Sequence, residues 1–95
     1  MLFTIFCIDK IGMADKRSAA MPAHVEYLNS LTSIKNIMSG PLMDDNMKNI
    51  IGSLYILEAK DRAAIEDFTS KDPLVAADIW ESIEIRAFNK RVDNR

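Results

Sequence analysis

Cysteine and histidine are almost absent from this chain of 95 residues, which contains one of each, Cys7 and His24. A single cysteine excludes an internal disulfide. One histidine and one cysteine are also too few to build an ordinary zinc site, so we expect no metal. With only three glycines the chain has no phosphate-binding glycine loop, and we expect no cofactor.

Excess positive charge and long apolar runs are missing as well. The 12 basic and 14 acidic residues are spread along the chain and leave a net charge of -2, so no basic patch suits a phosphate backbone and nucleic acid is excluded as a partner. No apolar run approaches the length of a membrane-spanning helix. The opening segment MLFTIFCIDK has no basic region before its short apolar run, unlike a signal peptide. We therefore expect one cytoplasmic domain over residues 1–95 that does not enter a membrane.

Four segments have the composition of β-strands. Two of them carry apolar side chains on both alternating faces, which is typical of strands buried on both sides. Another is expected to bend or end at Gly40-Pro41, because proline interrupts a strand. The predicted strands are residues 2–9, 34–43, 50–59 and 79–88.

Two segments have helical spacing, residues 15–31 and 61–70. In the first, Met21, His24 and Leu28 recur at three and four residues and share one face. Pro22 interrupts this pattern and either kinks the helix or starts its second part. A further short helical turn is predicted to open at Asp72-Pro73, before the last strand.

The predicted elements follow the order βαββαβ. This order is that of the ferredoxin-like α+β fold, in which a four-stranded antiparallel sheet carries both helices on one face. The first and third strands are nevertheless apolar on both sides, so the uncovered face of the sheet needs a partner. Because most soluble oligomers are symmetric homodimers, we expect a dimeric α+β barrel formed by two copies of the chain.

A series of short motifs resembles the YciI-like, or YCII-related, family of small dimeric α+β barrel proteins. The resemblance covers nearly the whole chain, and it rests on the set in register rather than on any one motif. In chain order the motifs are MLFTIFCIDK, DKR, PAHVEYL, SGP, GSLYILEA and DPLVAADIWES.

The resemblance implies a site as well as a fold. It implies a His-Asp pair in a pocket, with the histidine after Pro-Ala on the first helix and the aspartate before a proline, which in this sequence are His24 and Asp72. It also implies that at least one relative acts as a dehydrochlorinase on a chlorinated hydroxyquinol. In such relatives the residue three before the histidine is commonly arginine, whereas here it is Met21. An anionic substrate would therefore lose an anchor, unless Arg17 on the same helical face replaces it.

His24 and Asp72 each have two interpretations. A histidine beside a carboxylate is a sensible acid-base unit, since imidazole titrates near neutrality and the carboxylate fixes its tautomer. Alternatively, His24 is a core or interface residue on the stripe that runs from Met21. Asp72 before Pro73 also reads as a helix N-cap, and a carboxylate with two oxygens can serve both roles.

Three small residues are further candidates for lining a binding pocket. Ser39 and Gly40 lie where the second strand is expected to end, and Ser53 places a hydroxyl in the otherwise apolar third strand. The alternative is a β-bulge at Ser39 and Gly40 and a harmless small residue at Ser53. Cys7 reads as a small buried hydrophobe rather than as a nucleophile.

Two functions follow from these candidates. The first is a cofactor-independent acid-base enzyme, a lyase or isomerase, in which His24 moves a proton on an aromatic or enolisable small molecule and Asp72 orients it. The second is a non-catalytic dimeric module that binds a small molecule or a protein in the same cavity. The sequence identifies neither the ligand nor the reaction, since a fold does not define a function.

Overall fold

The structure is a computed structural model that describes all 95 residues, 1–95. The predicted βαββαβ order is confirmed, and the single helical turn expected at Asp72-Pro73 is present as α3. The bounds of the strands and long helices lie within two residues of the prediction. The elements are β1 Leu2–Asp9, α1 Ala14–Asn29, β2 Lys35–Met43, β3 Ile50–Glu58, α2 Arg62–Ser70, α3 Pro73–Ala76 and β4 Trp80–Phe88.

The four strands form one antiparallel sheet in the order β2-β3-β1-β4. The two strands with apolar side chains on both faces, β1 and β3, occupy its centre, as their composition predicts. On β1, Phe3, Ile5 and Cys7 point to the helical side and are buried. The ferredoxin-like α+β fold is therefore confirmed.

The helices pack on one face of this sheet. The buried face of α2 presents Ile65 and Phe68 to the strands, and α3 adds Leu74. Asp61 caps α2 by accepting a hydrogen bond from the amide of Ala64 at 2.9 Å. A side-chain cap of this kind satisfies one of the amides that a helix start leaves free.

Helix α1 continues through Pro22 as one helix. Proline lacks the amide that would bond the carbonyl of Ser18, and Ser18 is exposed. The two buried residues of α1 are polar, Arg17 and His24. The stripe beginning at Met21 is only half-buried.

Strand β2 was expected to bend or end at Gly40-Pro41. It does not end there but continues to Met43, and its register shifts lie between Asn36 and Met38 and between Leu42 and Met43. A proline is tolerated here because β2 is an edge strand, where a missing amide donor interrupts no second ladder.

The outer face of the sheet, away from the helices, carries apolar side chains. On β1 they include Phe6, which is 40% exposed although β1 is a central strand. The cross-strand neighbours of Phe6 on this face are Leu54 on β3 and Glu84 on β4. The sheet thus exposes an apolar surface at its middle. No helix of the chain has the length and apolarity needed to cross a membrane.

Gly52 allows the two central strands to approach each other, which gives a testable prediction. A Cβ at this position would lie 2.1 Å from the backbone oxygen of Cys7, whereas a Cβ at Gly40 would meet nothing within 4 Å. We expect Gly52→Ala to lower the free energy of unfolding by roughly 3 kcal/mol, because the strands must separate. Gly40→Ala should change it by less than about 1 kcal/mol. Urea denaturation followed by circular dichroism measures both, and equal effects would contradict this account.

Candidate active site

His24 and Asp72 form a buried hydrogen-bonded pair between α1 and the start of α3. The distance from His24 Nδ1 to Asp72 Oδ1 is 2.9 Å, although the residues are 48 positions apart in the chain. The His24 side chain is 10% exposed and that of Asp72 is fully enclosed. The fold therefore brings together the two residues that the resemblance paired.

The carboxylate of Asp72 accepts three hydrogen bonds from three different elements. Oδ1 accepts from the amide of Leu74 at 2.9 Å, which makes Asp72 the N-cap of α3, and from His24. Oδ2 accepts from the hydroxyl of Tyr55 at 3.1 Å. Both roles that the sequence left open for Asp72 coexist. A buried carboxylate keeps its charge only when donors converge on it in this way.

The pairing assigns a chemical role to each nitrogen of His24. Nδ1 donates to a carboxylate that can only accept, so the neutral ring leaves Nε2 without a proton. Nε2 has no hydrogen-bond partner within the chain. It is not fully buried, because Trp80 Nε1 is the one fully buried side-chain nitrogen or oxygen that lacks a partner. His24 thus lines the adjoining cleft with one ring nitrogen free of any partner in the chain.

Arg17 forms a second buried ion pair one to two turns earlier on α1. Its Nε and Nη2 donate to the two carboxylate oxygens of Asp9 at 2.9 and 3.1 Å. Nη2 also lies 3.1 Å from the carbonyl oxygen of Gly52 and 2.6 Å from Ser53 Oγ. Only Nη1 makes no hydrogen bond within the chain. Asp9 therefore balances the charge of Arg17, and one nitrogen stays available to a ligand.

A cleft of about 270 Å³ lies between α1, β2 and β3, and the two buried pairs border it. All the residues predicted from the sequence to bind a ligand line this cleft, whereas Asp72 lies behind His24. A wider groove of about 820 Å³ adjoins it and shares Arg17, Met21 and Ile50. The cleft is lined by Arg17, Met21, His24, Val25, Leu28, Ser39, Gly40, Pro41, Ile50, Ser53 and Tyr55.

Sequence reasoning missed two residues of this site, Asp9 and Tyr55. Asp9 ends β1, and nothing in the local sequence distinguishes it from an ordinary polar residue at a strand terminus. Tyr55 lies in an apolar strand, where a core position is the ordinary expectation. A signal for Tyr55 was available, since a buried tyrosine hydroxyl needs a hydrogen-bond partner. The identity of that partner depends on the packing of α3 against β3, which no local pattern reveals.

The other groups to consider as a nucleophile or as metal ligands are the thiol of Cys7 and the acidic side chains. Burial, followed by the negative charges of Asp72 and Asp9, raises the pKa of Cys7 to about 12, so its thiol stays protonated and unreactive at neutral pH. Nowhere in the chain do three or more histidine, cysteine, aspartate or glutamate side chains gather into a group that could hold a metal ion. In the β2–β3 turn, Asp44 accepts hydrogen bonds from the backbone amides of Lys48 and Asn49.

The family of the chain follows from comparison with known proteins. The family profile described as the YCII-related domain matches residues 1–89. The chain belongs to the YCII-related family. Protein YciI of Escherichia coli O6:H1 is 29% identical over 96 aligned positions, which cover 95% of this chain and 98% of YciI. The resemblance drawn from the motifs is therefore confirmed.

Solved structures agree with this assignment. The 5-chloro-2-hydroxyhydroquinone dehydrochlorinase TftG of Burkholderia phenoliruptrix AC1100, in complex with 2,5-dihydroxybenzoquinone, superposes with a TM-score of 0.83 at 27% identity, covering 94% of each chain. A Pseudomonas aeruginosa protein superposes with a TM-score of 0.58 at 11% identity over 96% of this chain and 93% of that one. The second likeness shows the fold alone.

The triple role of Asp72 predicts its effect on stability. Asp61 and Asp72 are both helix N-caps, but only Asp72 also binds His24 and Tyr55. Asparagine caps as well as aspartate, so we expect Asp61→Asn to change the free energy of unfolding by less than about 0.5 kcal/mol. Asp72→Asn should cost roughly 2–3 kcal/mol, because it weakens two further buried hydrogen bonds. Urea denaturation of both variants tests this, and similar losses would mean that Asp72 is a cap only.

Proposed function

We propose that this protein is a cofactor-independent acid-base catalyst of the lyase type, acting on a small aromatic or enolisable molecule. The observation that carries the proposal is the state of His24, which lines the cleft: its Nδ1 is tied to Asp72, and its Nε2 has no partner within the chain. A base held in one tautomer by a buried carboxylate is the arrangement that proton abstraction needs. The dehydrochlorinase activity named for TftG supports the same reaction type.

The reaction is an elimination or a proton shift. Nε2 of His24 removes a proton from a C–H or O–H group of the substrate, and the released electron pair forms a new double bond. In an elimination the leaving group departs with its own bonding pair. Asp72 does not touch the substrate; it orients the ring and stabilises the imidazolium that forms. The imidazolium then returns its proton to solvent or to another substrate atom.

The lining of the cleft indicates the kind of substrate. Its volume of about 270 Å³ suits a single ring rather than a larger molecule. Val25, Leu28 and Ile50 offer apolar walls, while the hydroxyls of Ser39 and Ser53 and the free Nη1 of Arg17 offer polar contacts. The positive charge of Arg17 is already balanced by Asp9. We therefore propose an uncharged ring that carries hydroxyl or carbonyl groups, with its oxygens toward Arg17.

A second candidate function is a binding module without turnover. The engagement of Arg17 by Asp9, Gly52 and Ser53 favours it, because no unpaired guanidinium remains to hold a charged transition state. In this alternative His24 only donates or accepts a hydrogen bond with the ligand. The two functions predict different results when the basic nitrogen of His24 is removed.

The substitution His24→Gln separates the two functions. Glutamine keeps polarity and similar size but cannot act as a base, so we expect turnover to fall by about 10²–10⁴-fold while the affinity for the same compound changes little. The assay uses a panel of chlorinated and hydroxylated single-ring compounds, each beside its carboxylated counterpart. Binding is followed by calorimetry and turnover by absorbance. If the unmodified protein and His24→Gln bind the same ligands equally and neither turns them over, the proposed catalytic function is rejected and the binding module remains.

We also propose that the chain forms a homodimer through the outer face of the sheet, as a single cytoplasmic domain over residues 1–95. Phe6 and Met38 are 40% and 46% exposed on this face. Glu84 and Arg86 also point outward from β4, next to Phe6 and Thr4. In a two-fold interface each charge can meet its opposite on the second copy. A second copy therefore suits this surface in both apolar and charged character.

A charge at the centre of the outer face tests the dimer. We expect the unmodified protein to scatter light as a dimer at micromolar concentration and Phe6→Glu to scatter as a monomer, because burying the new carboxylate is costly. Val92→Glu is the matched control: Val92 is 73% exposed in the chain that follows β4, and its substitution should leave the dimer intact. A monomeric unmodified protein, or a dimeric Phe6→Glu variant with native circular dichroism, would reject this interface.

A further inference from the structure

Tyr55 contacts both members of the His-Asp pair. Its hydroxyl donates to Asp72 Oδ2 at 3.1 Å, and its ring lies edge-on to the imidazole of His24, with centroids 6.2 Å apart and an interplanar angle of 72°. Tyr55 is 2% exposed and also lines the cleft. Of the donors to the Asp72 carboxylate, Tyr55 alone also places an aromatic ring against His24.

The surroundings of Tyr55 fix its ring. Phe68 of α2 meets it edge-on at 5.8 Å, and Trp80 of β4 does so at 6.2 Å. Tyr55 itself stands on β3 opposite Ile5 of the central strand β1. The ring of Tyr55 is thus packed by residues of β1, α2 and β4.

The hydroxyl of Tyr55 is a donor at every physiological pH. Burial is the main cause that raises the pKa of Tyr55 far above its usual range, and the negative charge of Asp72 and their hydrogen bond raise it further. The phenol therefore keeps its proton and donates it to Asp72. It does not compete with His24 for protons from a substrate.

We infer that Tyr55 is a positioning residue, which holds the Asp72 carboxylate in the plane that points Oδ1 at His24 Nδ1. Without the Tyr55 hydroxyl, Oδ2 would be buried with no donor, and the carboxylate would turn to share the donors that Oδ1 now uses. His24 would then lose its fixed hydrogen bond at Nδ1. The inference rests on the proposed function only in its effect on turnover; the effect on the His24 hydrogen bond is independent of any reaction.

The two tyrosines of the chain provide a matched test. Tyr27 donates its hydroxyl to the carbonyl oxygen of Phe68 at 2.7 Å and makes no hydrogen bond to either member of the pair. The readout is the Nδ1–H proton of the single histidine, observed by NMR in ¹⁵N-labelled protein. Its exchange with water is compared with that of the backbone amides of β1, which report opening of the whole fold.

In Tyr55→Phe we expect this Nδ1–H proton to exchange about tenfold faster than in the unmodified protein, relative to the β1 amides. Tyr27→Phe should leave the ratio unchanged. Where a substrate turns over, Tyr55→Phe should lower kcat about tenfold with little change in KM. An unchanged Nδ1–H signal and exchange ratio in Tyr55→Phe would overturn the inference and leave Tyr55 as core packing. A changed ratio in a protein without turnover would reject the proposed catalysis and keep the positioning role.

A second measurement avoids any substitution of Tyr55. With tyrosine labelled by ¹³C at Cζ, Asp72→Asn removes the charge that Tyr55 faces. We expect it to move the Tyr55 resonance more than that of Tyr27, which senses the charge of Asp72 but is not hydrogen-bonded to it, with Tyr27→Phe providing the assignment. Equal or absent shifts for the two tyrosines would show that the Tyr55 hydroxyl is not bound to Asp72, and the inference would fail.

Discussion

The buried carboxylate of Asp72 is the interaction on which the candidate site depends. It joins the start of α3, the middle of α1 and the centre of β3 through hydrogen bonds to Leu74, His24 and Tyr55. An enclosed charge is tolerated only when such donors surround it, and loss of one member of a buried pair typically costs roughly 3–5 kcal/mol. The same contacts that make the charge tolerable also hold the His24 ring in place. The stability of the fold and the geometry of the candidate site therefore depend on one group.

Helix α1 is attached to the sheet by buried polar contacts as well as by half-buried apolar ones. Arg17 and His24 are its buried residues, and each is hydrogen-bonded to an aspartate from another part of the chain. The cleft lies between α1, β2 and β3 and is bordered by both side chains. A tighter apolar seam would be more stable but would fill this space. Local departures from ideal packing are expected where a site is built.

The fold was predictable from the sequence, whereas much of the site was not. Two-sided apolar strands identified β1 and β3 as central, and Asp72-Pro73 marked the start of α3, because these signals are local. The pairing of His24 with Asp72 came from the family resemblance, since 48 residues separate them. Asp9 and Tyr55 were missed because their roles arise from partners supplied by other elements.

The strand order has a consequence for how the protein folds during synthesis. The first strand of the chain, β1, lies between β3 and β4, so its hydrogen bonds on one side are made only by the last strand. His24 meets Asp72 only after α3 has been made, well into the second half of the chain. Contacts of such large sequence separation form late and slow the search for the native state. His24 and its carboxylate partner thus come together near the end of folding. An incomplete chain would expose an apolar central strand before the His24–Asp72 pair had formed.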